Sequence, residues 1–327
     1  MLTLVMTALL FFLIIVFSIV LIKSADITVV ALKKIVGKKE IIGISAIIIA
    51  IGTSFPELFV GITSAISGKA SLSLGVALGS NIANIALIGA GAALLSGTVS
   101  ISGDSLKKIT WISLACGVLP YILLLDGYLG RTDGLVMIFV YLSYILYFFP
   151  RYKEKVLEGG HNHGIVLSKF VVRIERFAES RWKSLAGVFV GISLMLFSAD
   201  TIVKFSTLLA ERINIPIFVV GLFVLAIGTS LPEFAFSLRS LKDGEPQMFI
   251  GNLLGSIVAN TTLIIGLSVL INPVVVLSPE KYLVPGIIFI FVFLLFYLFI
   301  RTKKKLDRWE AMVLILVYIV FFLIELV

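Results

Sequence analysis

Ten apolar runs, most of them close to the length that crosses a bilayer, leave this chain few folds to adopt. They cover roughly residues 2–22, 41–65, 71–95, 109–126, 133–150, 184–208, 214–238, 247–271, 283–300 and 310–326. A helix needs ~20 such residues to span the hydrocarbon, and in lipid every backbone polar group must be satisfied internally. Composition agrees, with 59% hydrophobic and 14% charged residues against about 25% charged in a soluble domain. The expected fold is an all-α polytopic membrane protein of ten transmembrane helices. The first run has no charged n-region and no small-residue cleavage site, so it reads as a span rather than a signal peptide. Cys116 is the sole cysteine, which excludes an intramolecular disulfide and a cysteine-based metal cluster.

The net charge of +8 would suggest nucleic acid in a soluble protein. Here the basic residues sort by loop instead. Alternate loops on one side carry 21 of the 27 Lys/Arg, including Lys33, Lys34, Lys38, Lys39, Lys107, Lys108 and eight between Arg151 and Lys183. The loops of the other side carry four: Lys69, Arg131, Arg212 and Lys281. By the positive-inside rule the rich side is cytoplasmic, which puts both termini outside. The basic excess is topology, and no nucleic-acid partner is expected. The segment 151–183 is the one sizeable loop and contains Gly-Gly-His-Asn-His-Gly. His161 and His163 could hold a metal there, but a Gly-rich linker is the simpler reading.

The chain is also written twice. Ala50-Ile51-Gly52-Thr53-Ser54-Phe55-Pro56-Glu57 recurs as Ala226-Ile227-Gly228-Thr229-Ser230-Leu231-Pro232-Glu233, with seven identities in eight positions. The same offset of 176 relates Leu78-Gly79-Ser80 to Leu254-Gly255-Ser256 and Ala83-Asn84 to Ala259-Asn260. Ser24-Ala25-Asp26 returns as Ser198-Ala199-Asp200 at an offset of 174. Self-similarity of this kind defines two five-span halves, 1–150 and 184–327, joined by the cytoplasmic segment 151–183. Five is odd, so the halves enter the membrane from opposite sides. They are expected to form inverted repeats whose matched elements meet near the midplane.

The matched elements carry the chemistry. Pro56 and Pro232 remove a backbone donor and clash with the preceding turn, freeing carbonyls around Gly52–Thr53 and Gly228–Thr229. On an unbroken helix Thr53 and Ser54 share a face with Glu57, as Thr229 and Ser230 do with Glu233. Ser80 with Asn84 and Ser256 with Asn260 add hydroxyls and amides. An oxygen-rich set without His or Cys is a hard-ligand set, suited to Ca²⁺ or Na⁺ rather than to Zn²⁺ or copper. One ionised carboxylate at mid-membrane costs roughly 3 kcal/mol on insertion scales. Two facing carboxylates repel as well. One divalent ion, two monovalent ions or two protons neutralise both, which is a physical basis for obligate exchange.

Blander readings stand beside this one. An isolated Gly, Ser or Thr in a membrane helix is usually a packing residue, and a lone Pro is usually a kink. Duplication of Glu, Pro and hydroxyls at matching depth is what lifts these residues above that reading. Asp26 and Asp200, near the ends of spans one and six, read as structural or gating residues. Lys23 and Lys204 are expected to snorkel or to pair with them.

Two Gly-Thr-Ser-x-Pro-Glu spans, each followed by a Gly-Ser-x-x-x-Asn span, resemble the α-repeats of the cation/Ca²⁺ exchanger superfamily. The prokaryotic sodium/calcium exchanger branch is the nearest in pattern, since the H⁺/Ca²⁺ branch typically carries Gly-Asn-x-x-Glu in that place. The resemblance covers nearly the whole chain. It implies that Glu57 and Glu233 are central Ca²⁺ ligands shared with Na⁺, helped by the carbonyls of Thr53 and Thr229 and by Asn84 and Asn260. It implies flanking Na⁺ sites lined by the carbonyls of Ala50 and Ala226 and the hydroxyls of Ser54, Ser80, Ser230 and Ser256. Spans one and six would slide to switch access. Two departures stand out: Asn260 replaces a frequent Asp, and Gly75-Val76 stands where the second half has the more usual Gly251-Asn252. With two carboxylates a single Ca²⁺ neutralises the site and a third Na⁺ would leave it positive.

The functional expectation is a secondary antiporter of the cell membrane, exchanging cytoplasmic Ca²⁺ for extracellular Na⁺, with inorganic cations as cargo and no resident cofactor. Exchange of Ca²⁺ or another divalent cation for H⁺ is the first alternative, and a cation channel the second. No His, Cys or Asp pair flanks either glutamate motif, so an intramembrane enzyme is not expected.

Overall fold

The computed structural model describes residues 2–36, 53–97, 99–100, 105–158, 181–275, 280–303 and 305–326. They are mostly helical. The first half contributes α1 (Leu2–Val36), α2 (Phe55–Ile66), α3 (Ala70–Ser96), α4 (Ser105–Leu123) and α5 (Arg131–Glu158). The second contributes α6 (Arg181–Ile213), α7 (Ile217–Thr229), α8 (Leu231–Lys242), α9 (Pro246–Ile271), α10 (Glu280–Lys303) and α11 (Arg308–Leu326). Six helices among the described residues are long and apolar enough to cross a membrane, and α7 with α8 makes a bent seventh.

The bend has a local cause. A 41° change of direction separates α7 from α8 at Ser230, and Pro232 sits in the first two positions of α8. Proline is tolerated there because those N–H groups have no helical partner in any case. Pro56 occupies the same place at the start of α2, after Ser54. Ser54 (φ −91, ψ 9) and Ser230 (φ −83, ψ 6) leave the helical region in the same way. The break therefore falls between Thr and Glu. This corrects the expectation that the threonines share a helix face with the glutamates.

α3 and α9 form the heart of the bundle, and each contains a π-helical stretch, at Asn84–Gly89 and Ala259–Ile264. The close crossing of α3 over α7 depends on glycine. A Cβ on Gly79 would overlap the Leu222 carbonyl group, whose carbon lies 2.7 Å away, and one on Gly221 would stand 2.6 Å from the Leu72 carbonyl oxygen. Small residues at such crossings bring backbones together where lipid supplies no hydrophobic drive. One apolar cluster surrounds α3, α9, α10 and α11. A second joins α1 and α6 to α2, α3 and α7.

α1 and α6 pack antiparallel, with Phe17 against Phe197 and Phe205 and Gly187 next to Ala31. Both outrun the expected spans, 2–22 and 184–208. Asp26 and Asp200 consequently lie well inside helices rather than near their ends. Each forms an ion pair on its own helix, Lys23 Nζ to Asp26 Oδ2 at 3.7 Å and Lys204 Nζ to Asp200 Oδ2 at 2.6 Å. Pairing is what lets these charges sit in an apolar helix. α5 likewise runs past its expected end to Glu158, and His161 and His163 lie outside the described residues.

Two short antiparallel ladders close the bundle. β1 (Val99–Ser100) pairs with β4 (Lys305–Leu306), and β2 (Tyr128–Leu129) pairs with β3 (Val274–Val275). Each ladder joins a loop of one half to a loop of the other.

Candidate functional site

The breaks put a carboxylate in a particular electrostatic place. Glu57 lies in the first turn of α2 and Glu233 in the first turn of α8. The N-terminal turn of a helix presents unbonded N–H groups and the positive end of the dipole, so it favours negative charge. Both side chains are buried, with 1% exposure each. Glu233 lies within reach of the charge of Glu57, so each half contributes one of two neighbouring carboxylates. Thr229 and Ser230 of the second half stand beside Glu57, and Ser256 stands beside Glu233.

The surroundings are rich in polar atoms without protein partners. Both Glu57 oxygens, Glu233 Oε2, the hydroxyls of Ser54, Ser230, Ser80 and Ser256, both amide atoms of Asn84 and Asn260 Oδ1 are buried with no hydrogen bond among the described residues. Native proteins leave few buried polar atoms unsatisfied, because each one costs about 1–3 kcal/mol. These ten atoms come from four matched segments, and all of them except the Asn84 amide nitrogen are oxygens. No group of three or more His, Cys, Asp or Glu side chains gathers among the described residues. Hydroxyl, amide and carboxylate oxygens are the ligands that hard cations take.

Of the residues singled out from the sequence, Glu57 and Glu233 come near each other with Thr229, Ser230 and Ser256 beside them, and Ser54, Ser80, Asn84 and Asn260 are buried. Thr229 ends α7, and its hydroxyl donates to the Leu225 carbonyl at 3.0 Å. The Thr53 hydroxyl makes a long contact of 3.5 Å with Asn252 Oδ1. Ala226 is buried on the turn before the break, and Ala50 lies outside the described residues. Pro232 has no N–H to offer the Gly228 carbonyl.

Two residues enter the site that the repeat did not mark. Asn260 Nδ2 donates to Asn81 Oδ1 across the halves at 3.1 Å, and Asn252 meets Thr53. At the offset of 176, Asn81 corresponds to Ile257 and Asn252 to Val76. A search for identical positions passes over both, although the contrast of Gly75-Val76 with Gly251-Asn252 already sets Asn252 apart. The signal available was an asparagine in a membrane helix three residues from Asn84, on the same face.

Known proteins resemble this chain over most of its length. The model of the sodium/calcium exchanger protein family matches residues 9–149 and 183–327. The inner membrane protein YrbG of Escherichia coli is 31% identical over 69% of this chain and 68% of its own length. The sodium/calcium exchanger MaX1 of Methanosarcina acetivorans is 27% identical over 89% of this chain and 90% of its own. Solved structures of the sodium-calcium exchanger NCX_Mj share the fold, one with a TM-score of 0.59 at 23% identity over 95% of this chain and 97% of that one. A family match on both sides of the central segment, spanning both carboxylate-bearing helix breaks, places this membrane protein in the sodium/calcium exchanger protein family.

Proposed function

We propose that this chain is a secondary antiporter that exports Ca²⁺ from the cytoplasm against inward Na⁺ by alternating access. The observation that carries the reading is the pair of buried, neighbouring carboxylates, one from each half, in helices that also bury unpartnered oxygens. A site of charge −2 in a low-dielectric interior is unfavourable when empty. It changes orientation readily only when one divalent ion or two monovalent ions balance it. The names of the relatives, a sodium/calcium exchanger among them, point the same way.

In this reading Ca²⁺ sits between Glu57 and Glu233, with the carbonyls of Thr53 and Thr229 and the side chains of Asn84 and Asn260 around it. Na⁺ occupies that place and flanking ones lined by Ser54, Ser80, Ser230 and Ser256 and by the carbonyls of Ala50 and Ala226. The halves 1–150 and 184–327 act as inverted five-span repeats joined by a cytoplasmic segment 151–183, with both termini outside.

The contact pattern supports that topology. α3 packs on α2, α10 and α11, while α9 packs on α8, α4 and α5, which is the arrangement a two-fold exchange of halves requires. The ladders supply a parity argument. β1 and β4 must share one side of the membrane, as must β2 and β3, and the ten-span count puts an even number of crossings between the members of each pair. Loop charge places the first ladder inside and the second outside.

Reconstituted vesicles loaded with Na⁺ and diluted into Na⁺-free medium test the coupling. Radiolabelled Ca²⁺ should enter on the Na⁺ gradient and not on a pH gradient alone. Uptake driven by pH and indifferent to Na⁺ would replace Na⁺ with H⁺ in the cycle. Ca²⁺ flux without any counter-ion would make the protein a channel.

A further inference from the structure

We propose that Asn81 is a positioning residue for the cation site: it accepts the amide N–H of Asn260 and so turns the Asn260 carbonyl oxygen toward the ion. The proposal rests on the exchanger reading above and adds to it a residue outside the duplicated motif.

An asparagine amide is ambiguous as a cation ligand. One end is an acceptor and the other a donor of two N–H groups, and only the first can face a positive ion. An Asn beside a cation is useful only if something else takes its NH₂. For Asn260 that acceptor is Asn81 Oδ1, 3.1 Å from Nδ2. Two neighbouring carbonyls on α9 already accept hydroxyls, since Thr261 donates to Ile257 O at 2.7 Å and Thr262 to Val258 O at 2.5 Å. With its nitrogen held, Asn260 keeps Oδ1 buried and unpartnered among the described residues. Asn81 itself is 1% exposed, so the pair forms in a dry setting where a hydrogen bond is strong and an orphaned N–H is expensive.

The two halves differ on this point. Asn84 occupies the matched position in α3, and the residue that would play the role of Asn81 for it is Ile257, an alkyl chain. Both Asn84 amide atoms lack a partner among the described residues. One asparagine of the matched pair is therefore oriented in advance and the other is not. The arrangement also suits the departure noted at 260. A carboxylate there would need a donor, whereas an amide there needs an acceptor, and Asn81 can present either end.

The test uses the full-length protein in vesicles, with Ca²⁺ as the probe, and reads the half-saturating Ca²⁺ concentration for Na⁺-driven uptake. N81D keeps the acceptor and removes the donor. N81L keeps the volume and removes both. N81D should stay within about threefold of wild type or bind more tightly, while N81L should weaken Ca²⁺ at least tenfold, with both eluting as monodisperse protein. A packing role predicts the opposite order, because leucine suits a buried apolar place and a buried carboxylate does not. That order would overturn the proposal, and so would equal values for N81L and wild type.

N81D in an N260D background guards against misfolding of N81L. It sets acceptor against acceptor and should weaken Ca²⁺ at least tenfold relative to N260D alone. An N81D effect equal in both backgrounds would also overturn the assignment. Wild-type protein that moves no Ca²⁺ under any gradient would remove the exchanger reading and the proposal together, whereas failure of the N81 series alone would remove only the proposal.

Discussion

Replacing Glu57 with glutamine keeps the shape of the side chain and removes one of two charges from a site with almost no exposure to solvent. The size of the effect comes from that burial. Two unit charges 4 Å apart at an effective dielectric of 20 attract by about 4 kcal/mol. A divalent ion therefore loses about 8 kcal/mol of attraction with one carboxylate, and a monovalent ion about 4 kcal/mol. Removing the carboxylate also removes its desolvation penalty. If that returns half of the Coulomb loss, about 4 kcal/mol remains for Ca²⁺, close to a thousandfold in affinity at 1.4 kcal/mol per decade. The same offset cancels most of the Coulomb loss for Na⁺, so Na⁺ affinity should change far less. E57Q and E233Q should behave alike, because the two carboxylates face each other across one site. Na⁺-driven Ca²⁺ uptake into vesicles, with Ca²⁺ binding to purified protein measured beside it, reads both quantities. Near-wild-type Ca²⁺ affinity in either variant would refute the shared site, and a large loss in only one would refute its symmetry.

Three more perturbations reach other parts of the structure. G79A adds a methyl group against the Leu222 backbone, where no side chain can yield. It should destabilise the protein by about 3 kcal/mol, the upper end for overpacking, seen as a lower melting temperature in detergent. P232A restores an N–H that can reach the Gly228 carbonyl and straighten the 41° bend. Expression should hold while Ca²⁺ turnover falls, and unchanged turnover would show that the break is dispensable. N260D adds a third carboxyl group beside Glu57 and Glu233. The charge moved per Ca²⁺, measured from the voltage dependence of uptake, should change, and an unaltered ratio would count against charge balance as the rule of the cycle.

Much of the candidate site was legible because it is written twice. Glu57 and Glu233, the serines at each break and the serines and asparagines of α3 and α9 are matched positions, and the fold buries each of them. Helix ends were less legible. Hydropathy stops counting at Lys23 and Asp26, yet α1 continues to Val36 because those charges neutralise each other on the helix surface. The position of each break was also legible only to within a residue or so. Spacing alone put Thr229 and Glu233 on one face, whereas the chain turns at Ser230 and sends the threonine hydroxyl back to Leu225.

What the sequence determined by itself is the class of protein, its internal repetition and the residue types that the repetition marks. Length, hydropathy and repetition are properties of a line, and they suffice for those conclusions. Only the tertiary structure decided which side chain meets which across the halves. Asn81 against Asn260 and Thr53 against Asn252 are pairs without counterparts in the other half. They exist because α9 packs against both α2 and α3. A repeat search keeps what is the same in both halves, and the orientation of Asn260 is set by a residue that is different.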